Sequence, residues 1–267
     1  MAGHGIVTDA LAVRHDFAIE LAREAGVVAS RRRQSLGALE AKVPMDYATE
    51  ADHEVEALIR GRISERFGDP VIGEEDGGSP ADLVWVVDPI DGTVNYIHGT
   101  PRWCVSIALV AGGDVESGVI NAPDERRLFT ARRGRGAFLN GAPIQVSSLG
   151  HGASPVVEIG WSPRRPIEAY GELIRRLIGD SIEFRRLGSG ALGVADTAAG
   201  LNDGYVELHI NAWDVLAGLL LVREAGGWTS DFLADGGLVT GNPIIVCTPE
   251  IASRVRAAAS GAVPSAK

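Results

Sequence analysis

WVVDPIDGTVNY, residues 85–96, ends an apolar run, Leu83-Val84-Trp85-Val86-Val87, with two carboxylates, a proline, a glycine and a hydroxyl. A short continuous apolar run bounded by turn residues reads as a buried strand. Pro89 has no N–H for a ladder, so regular pairing stops there. Past it, the Ile90 carbonyl can point at the same ion as the neighbouring carboxylates. Gly92-Thr93 can bring backbone N–H groups to a phosphate. A structural turn rarely needs two acids and a threonine in that order, so the mouth of this strand is the candidate site.

Upstream, apolar residues at helical spacing (Ala10, Leu11, Phe17, Ala18, Leu21, Ala25, Val28) predict a helix over 9–34, ending in the cationic run SRRRQS. A connection holding Lys42 and Pro44 leads to a second helix with Val55, Leu58, Ile59, Ile63 and Phe67 on one face. Thr49 followed by Asp52 fits a capping box at its start. DPVIGEEDGG then gives a brief strand ending in Gly73 and two glutamates. Downstream of the opening motif, 102–147 reads as short β segments joined by turns, Asn140-Gly141 among them. Around 147–154 the chain turns polar and Gly/Ser-rich, a subdomain boundary separating 1–147 from 148–267. Beyond it strands (156–160, 181–187, 204–210, 238–247) alternate with helices (166–179, 189–200, 213–225, 249–259), which implies an α/β sheet covered on its faces.

Acidic groups recur at element ends: Asp52, Glu74 with Glu75, Asp88 with Asp91, and Asp214. Several carboxylates meeting at one place raise one another's pKa unless a cation joins them. Hard oxygen ligands of this kind suit Mg²⁺. Each acid has a plainer reading as well. Asp52 completes a capping box, Glu74-Glu75 sits in a solvated loop, and Asp214 meets a helix dipole.

The net charge of −10 argues against a nucleic-acid or anionic-membrane partner. It would also repel an anionic substrate, unless bound cations reverse the local field. Cys104 and Cys247 have no metal or disulfide spacing and read as buried free thiols. With no leader-like segment and no apolar run near membrane-spanning length, a reduced, cytoplasmic setting is expected. No two histidines have ligand spacing, Gly134 and Gly136 are not followed by a nucleotide-loop lysine, and Ser106 and Ser189 lack a nucleophile elbow.

WVVDPIDGTVNYIHG closely resembles the first signature of the inositol monophosphatase family of lithium-sensitive, Mg²⁺-dependent sugar phosphatases. VIGEE, KVPMDYATEAD, WDVLAGLLLVREAGG, ARRGRGAFLNGAPIQVS and RRLGSGALGVADTAAGLNDGYVE resemble other family segments in order and spacing, so the likeness runs from about residue 10 to about 255. It implies two to three Mg²⁺ per site. Glu74, Asp88 and the Ile90 carbonyl would hold the first, and Asp88, Asp91 and Asp214 the second. Glu74, with Asp52 through water, would organise a third. Thr93 and Asp52, with Glu74, would position and activate the attacking water, and the Gly92 and Thr93 amides would hold phosphate oxygens. Ser189, Gly190 and Ala191 fall where family members line the sugar pocket. Glu207 matches the position that hydrogen-bonds cyclitol hydroxyls, and Lys42 resembles a lysine near the site.

The resemblance therefore implies hydrolysis of a small-molecule phosphate monoester, inositol monophosphate. Histidinol-phosphate, fructose-bisphosphate and phosphoadenosine-phosphate phosphatases are related alternatives, and a regulatory protein that retains the fold is the alternative from another class. Val94-Asn95, where nucleotide enzymes carry Lys-Glu, favours inositol. Leu216, Tyr47-Ala48 and the His209-Ile210-Asn211 stretch depart from the family pattern. The fold implied is a layered α-β-α-β-α sandwich, with a homodimer and inhibition by Li⁺ expected by the same route.

Overall fold

The computed structural model describes residues 3–35, 39–43, 46–149 and 154–262. Helices α1 (Gly3–Arg32) and α2 (Glu50–Phe67) flank a short antiparallel pair, β1 (Leu39–Val43) and β2 (Asp46–Thr49). Next come β3 (Val71–Gly73), β4 (Leu83–Asp91), the short helix α3 (Thr93–Ile97), and β5 (Cys104–Ala111), β6 (Asp114–Ala122), β7 (Arg127–Arg132), β8 (Ala137–Leu139) and β9 (Ala142–Pro143). These seven strands, β3 to β9, lie side by side in sequence order. All pairs are antiparallel except β3 with β4. The second half holds β10 (Val156–Ile159), α4 (Ile167–Gly179), β11 (Glu183–Arg185), α5 (Gly190–Ala198), β12 (Gly204–Ile210), α6 (Ala212–Glu224), β13 (Trp228–Thr229), α7 (Gly237–Thr240), β14 (Asn242–Cys247) and α8 (Ala252–Ala262). Its mixed sheet runs β11-β10-β12-β14-β13.

Period-two alternation along β4 builds the layers. Trp85 and Val87 face α1 and α2, joining Ala18, Leu21, Val55, Ile59 and Ile63 in one core. Val84 and Val86 face the other way, onto α5 and α6, and share a central core with Tyr205, Ile244 and Val246 of the second sheet. The far side of that sheet closes against α4 and α8 through Val157, Leu173, Leu177 and Val255. Each fully buried large side chain of this kind contributes about 1.5–3 kcal/mol. The order is α1/α2, seven-stranded sheet, α5/α6, five-stranded sheet, α4/α8: the expected α-β-α-β-α sandwich. Helices α5 and α6, from the second half of the chain, form the shared middle layer.

Several boundaries differ from those expected, α1 beginning at Gly3 rather than at residue 9. The strand expected from 238 begins at Asn242, because 237–240 close a helical turn in which Thr240 Oγ1 donates to the Gly236 carbonyl (3.3 Å). The 181–187 strand contracts to Glu183–Arg185, the span that pairs with β10. Neither the β1–β2 pair nor α3 was legible, both being too short for periodicity. Cys104 and Cys247 are buried free thiols.

Candidate active site

Strict alternation would send Asp88 and Asp91, three residues apart, to opposite faces of the sheet. A bulge prevents this. Asp88 pairs with Ser106 and Asp91 with Cys104, so three steps on β4 match two on β5. The extra residue falls at Pro89-Ile90, where proline has no ladder donor to lose. Both carboxylates therefore face the α5/α6 layer. Ser106, opposite Asp88, donates from Oγ to the Trp213 carbonyl (3.0 Å) and fixes the start of α6 against the sheet. Asp214 stands in the first turn of α6, with Oδ2 accepting from the Asn211 N–H (3.0 Å). The helix start thus aims the carboxyl group, and Asn211 acquires a role as its N-cap.

Glu74 follows β3 on a loop that Glu56 holds from beneath. The buried Glu56 carboxylate accepts from the Glu75 N–H (2.8 Å), the Asp76 N–H (3.0 Å) and Arg60 Nε (2.8 Å). Gly73 makes room for it, since a Cβ there would lie 2.3 Å from Glu56 Oε1. Removing this support frees the loop. Glu56→Ala should raise the Mg²⁺ concentration for half-maximal phosphate release by roughly 10–100-fold, with Glu56→Gln in between. A magnesium titration identical to that of the parent would show that Glu56 does not position Glu74.

Glu74, Asp88 and Asp214 each present an oxygen such that all three lie within 4.8 Å of one another. Asp88 Oδ1 accepts from the Ile90 N–H (2.9 Å), while Asp88 Oδ2 is buried and receives no hydrogen bond. Burial first, then the charges of Glu74, Asp91 and Asp214, pushes the Asp88 carboxyl well above the usual carboxylate range. Asp214 rises similarly, from burial and then Glu74 and Asp91. Acceptors facing acceptors in a dry site either protonate or gather round a cation. An all-oxygen donor set with an orphaned buried oxygen fits Mg²⁺.

Asp91 lies beside this group with its oxygens engaged. It accepts from Ser189 Oγ, from the Gly190 N–H (3.1 Å) and from the Ala191 N–H (3.0 Å), at the N-terminus of α5. Burial raises its pKa and these bonds pull it back. Ser189 and Gly190 line the cleft, whereas Ala191 is fully buried and acts through its amide. The Ile90 carbonyl accepts from Thr93 Oγ1 (3.0 Å). Gly92, left-handed at φ 88°, turns the chain from β4 into α3, which Tyr96 anchors by donating to the Ala29 carbonyl (2.7 Å). Asp52 is fully buried at the start of α2. Its Oδ2 accepts from the Thr49 N–H (2.8 Å) and Thr49 Oγ1 (2.6 Å), which is the capping box expected from the sequence. It is not among the residues that line the cleft. The Lys42 side chain lies outside the described residues.

Of the expected metal, catalytic and substrate residues, all except Asp52 and Ala191 line one cleft of about 560 Å³. Glu207 also lines it; this carboxylate accepts from the Tyr205 hydroxyl (2.6 Å) and is pushed up to about 7 by burial. Three sets of residues around the site escaped sequence reasoning. They are Glu56, the arginines Arg164 and Arg186, and a buried ion network in which Arg102 joins Glu158 on the cleft wall to Asp196. Partner residues far apart in sequence left no local signal for the network. Asn211 did leave one, the N-x-x-D pattern of a capping box.

A family model for the inositol monophosphatase family matches residues 11–263. The chain belongs to that family. Among its relatives, the Nus factor SuhB of Xylella fastidiosa is 41% identical over 220 residues, covering 80% of each chain. The inositol-1-monophosphatase of Rhizobium meliloti is 37% identical, covering 84% of this chain and 86% of its own. Among solved structures, the extragenic suppressor protein suhB of Bartonella henselae superposes with a TM-score of 0.84 at 32% identity, covering 93% of this chain and 98% of its own. The Thermotoga maritima IMPase gives 0.83 at 33% identity, covering 93% and 97%. The family fold is therefore the one built here from β4 outward. No helix among the described residues is long and apolar enough to cross a membrane.

Proposed function

We propose that the chain is a Mg²⁺-dependent phosphomonoesterase that hydrolyses myo-inositol 1-phosphate to inositol and phosphate. The observation that carries this reading is the group of Glu74, Asp88 and Asp214, with its unbonded buried oxygen, in a cleft that Glu207 also lines. Glu74, Asp88, Asp214, Asp91 and the Ile90 carbonyl would hold two or three ions. When bound, Mg²⁺ neutralises the ester's charge and makes a coordinated water acidic enough to attack phosphorus. The protein's own work is orientation. The bulge at Pro89-Ile90 sets Asp88 and Asp91 on one face, and the start of α6 aims Asp214. Thr93, at the first turn of α3, presents a hydroxyl beside the Ile90 carbonyl, where it can align the water. Asp52 acts through Thr49 and the start of α2. Ionised Glu207 accepts hydrogen bonds from ring hydroxyls, with Tyr205 fixing its rotamer. A homodimer and Li⁺ inhibition belong to the same reading.

Relatives named Nus factor SuhB favour a second reading, a regulatory binding role beside or in place of catalysis. The intact carboxylate set supports retained hydrolysis. Phosphate release with Mg²⁺ across inositol 1-phosphate, histidinol phosphate, fructose 1,6-bisphosphate and phosphoadenosine phosphate tests both. We expect a marked preference for inositol 1-phosphate. Preference for another ester would remove the role given to Glu207 and keep the metal site. No Mg²⁺-dependent release from any of them would leave the binding role.

A further inference from the structure

A second cavity, of about 550 Å³, lies between α1 and the β6–β7 turn and shares no lining residue with the cleft described above. Helical periodicity brings Arg23, Val27, Ser30, Arg31 and Gln34 to one face of α1, which forms one wall. Arg126 and Arg127 of the turn line the other. No aspartate or glutamate is among the lining residues. Arg14 and Arg32 of the same helix are paired, with Asp69 and Glu54. Arg23, Arg31 and Arg126 are exposed and pair with no carboxylate among the described residues. In a chain of net charge −10, a cavity lined by four arginines and no acid is not an ordinary solvated face.

The two walls are fixed to each other. Asn121 Nδ2 donates to the Ala22 carbonyl of α1 (2.8 Å). Gly26 permits that approach, since a Cβ there would collide with the Asn121 amide and lie 2.8 Å from Pro123 Cγ. In the turn, Arg126 holds a left-handed φ of 55°, which glycine or asparagine adopts at less cost. The Asn140 side chain clamps it, donating to the Arg126 carbonyl (3.0 Å) and accepting from the Leu128 N–H (2.9 Å). Arg127 is half-buried and donates to Asp196 and Glu125, neither of which lines the cavity. The uncompensated charge therefore belongs to Arg23, Arg31 and Arg126.

Guanidinium groups bind phosphate oxygens through paired, charge-assisted hydrogen bonds. Arg23 and Arg31 are about two helical turns apart, roughly 12 Å along the axis, with Arg126 on the facing wall. Charge spread over that length suits a run of linked phosphates better than a single one. We propose that this groove binds an oligophosphate, free or carried by a nucleotide, through Arg23, Arg31 and Arg126. The site is independent of the hydrolytic reading above, and no step of that reaction passes through it.

Calorimetric titration with inorganic tripolyphosphate, ATP and inorganic phosphate, each with chelator present, tests this. Without divalent metal the acids of the other cleft repel these anions, so binding there does not mask the groove. The parent should bind tripolyphosphate at least about tenfold more tightly than phosphate, and R23Q/R31Q/R126Q should bind it at least about tenfold more weakly than the parent. R23K/R31K/R126K should fall between them. All three side chains are exposed, so the variants should unfold at the parent's temperature. ATP bound as tightly as tripolyphosphate, and lost with it in R23Q/R31Q/R126Q, would place the contacts on the phosphates alone. ATP bound more tightly, and likewise lost, would make a nucleotide the carrier. Equal binding by parent and R23Q/R31Q/R126Q would overturn the site, as would no binding by the parent. Phosphate held as tightly as tripolyphosphate would overturn the ligand.

Discussion

The Asp88→Asn protein should release phosphate roughly a hundred- to thousandfold more slowly than the parent, yet unfold at a higher temperature when no metal is present. The two effects share one cause. Asp88 is fully buried among Glu74, Asp91 and Asp214, and its Oδ2 meets no donor. Asparagine keeps the acceptor that holds the Ile90 N–H and replaces the orphaned oxygen with an NH₂ group aimed at Asp214 and Glu74. Repulsion becomes hydrogen bonding, worth about 1.5–3 kcal/mol when one partner is charged. The pH dependence has a definite sign. Asp88 and Asp214 have folded pKa values raised above the carboxylate value of 3.8, so the metal-free fold keeps protons that the unfolded chain has released. Parent stability then falls as pH climbs above that value, and the advantage of Asp88→Asn is larger at pH 8 than at pH 5. Mg²⁺ reverses the order. At a hundred times its dissociation constant it stabilises the parent by about 2.7 kcal/mol, and the variant by less. Thermal unfolding of both proteins with chelator and with Mg²⁺, at both pH values, checks this. A variant less stable than the parent in chelator at pH 8 would mean that Asp88 sits among donors, not acceptors.

How much of this was legible in the sequence depends on the range of the interaction. The strand at 83–87 is a local pattern, and so is the proline that interrupts it. The acids at 74, 88, 91 and 214, each at an element end, could likewise be named as candidates without coordinates. The capping box at Thr49 and Asp52 is equally local, and it is present. What the pattern did not contain was the bulge. Two acids three residues apart share a face only because β5 pairs out of step with β4. Glu56 was hidden for a related reason. It sits among charged residues of α2 and reads as a solvent-facing helix acid, but the loop after β3 folds over it and supplies two donors, with Arg60 of α2 the third. The doublets at 164–165 and 185–186 look symmetrical in sequence. Only the folded chain shows that Leu208 and Glu183 take one arginine from each and leave the other to the cleft.

Removing the arginine that joins the two halves should have the largest effect on stability. Arg102, just before β5, donates from Nη2 to Glu158 of β10 (2.7 Å) and from Nη1 to Asp196 of α5 (2.8 Å). Arg127, at the start of β7, reaches the other oxygen of Asp196 and also pairs with Glu125. The Glu158 side chain is only 2% exposed, so it depends on Arg102 for its charged form. Arg102→Met should cost about 3–5 kcal/mol, because it leaves a buried carboxylate with no cation. Burial pushes Glu158 up to about 7 even with Arg102 drawing it down. Without the arginine its folded pKa rises further. The folded variant then holds a proton that the unfolded chain gives up near 4.5, so its stability falls as pH rises above that value. The deficit should be smallest in mild acid and largest above pH 8. Adding Glu158→Gln to Arg102→Met removes the charge, and should recover part of the loss at pH 8 and little at pH 5. Urea unfolding of the single and double variants across that range separates this from simple loss of packing, which would give a deficit independent of pH. A pH-independent loss would make the pair a spacer between the sheets. The expected slope would instead make Arg102 the charge that keeps the cleft wall ionised.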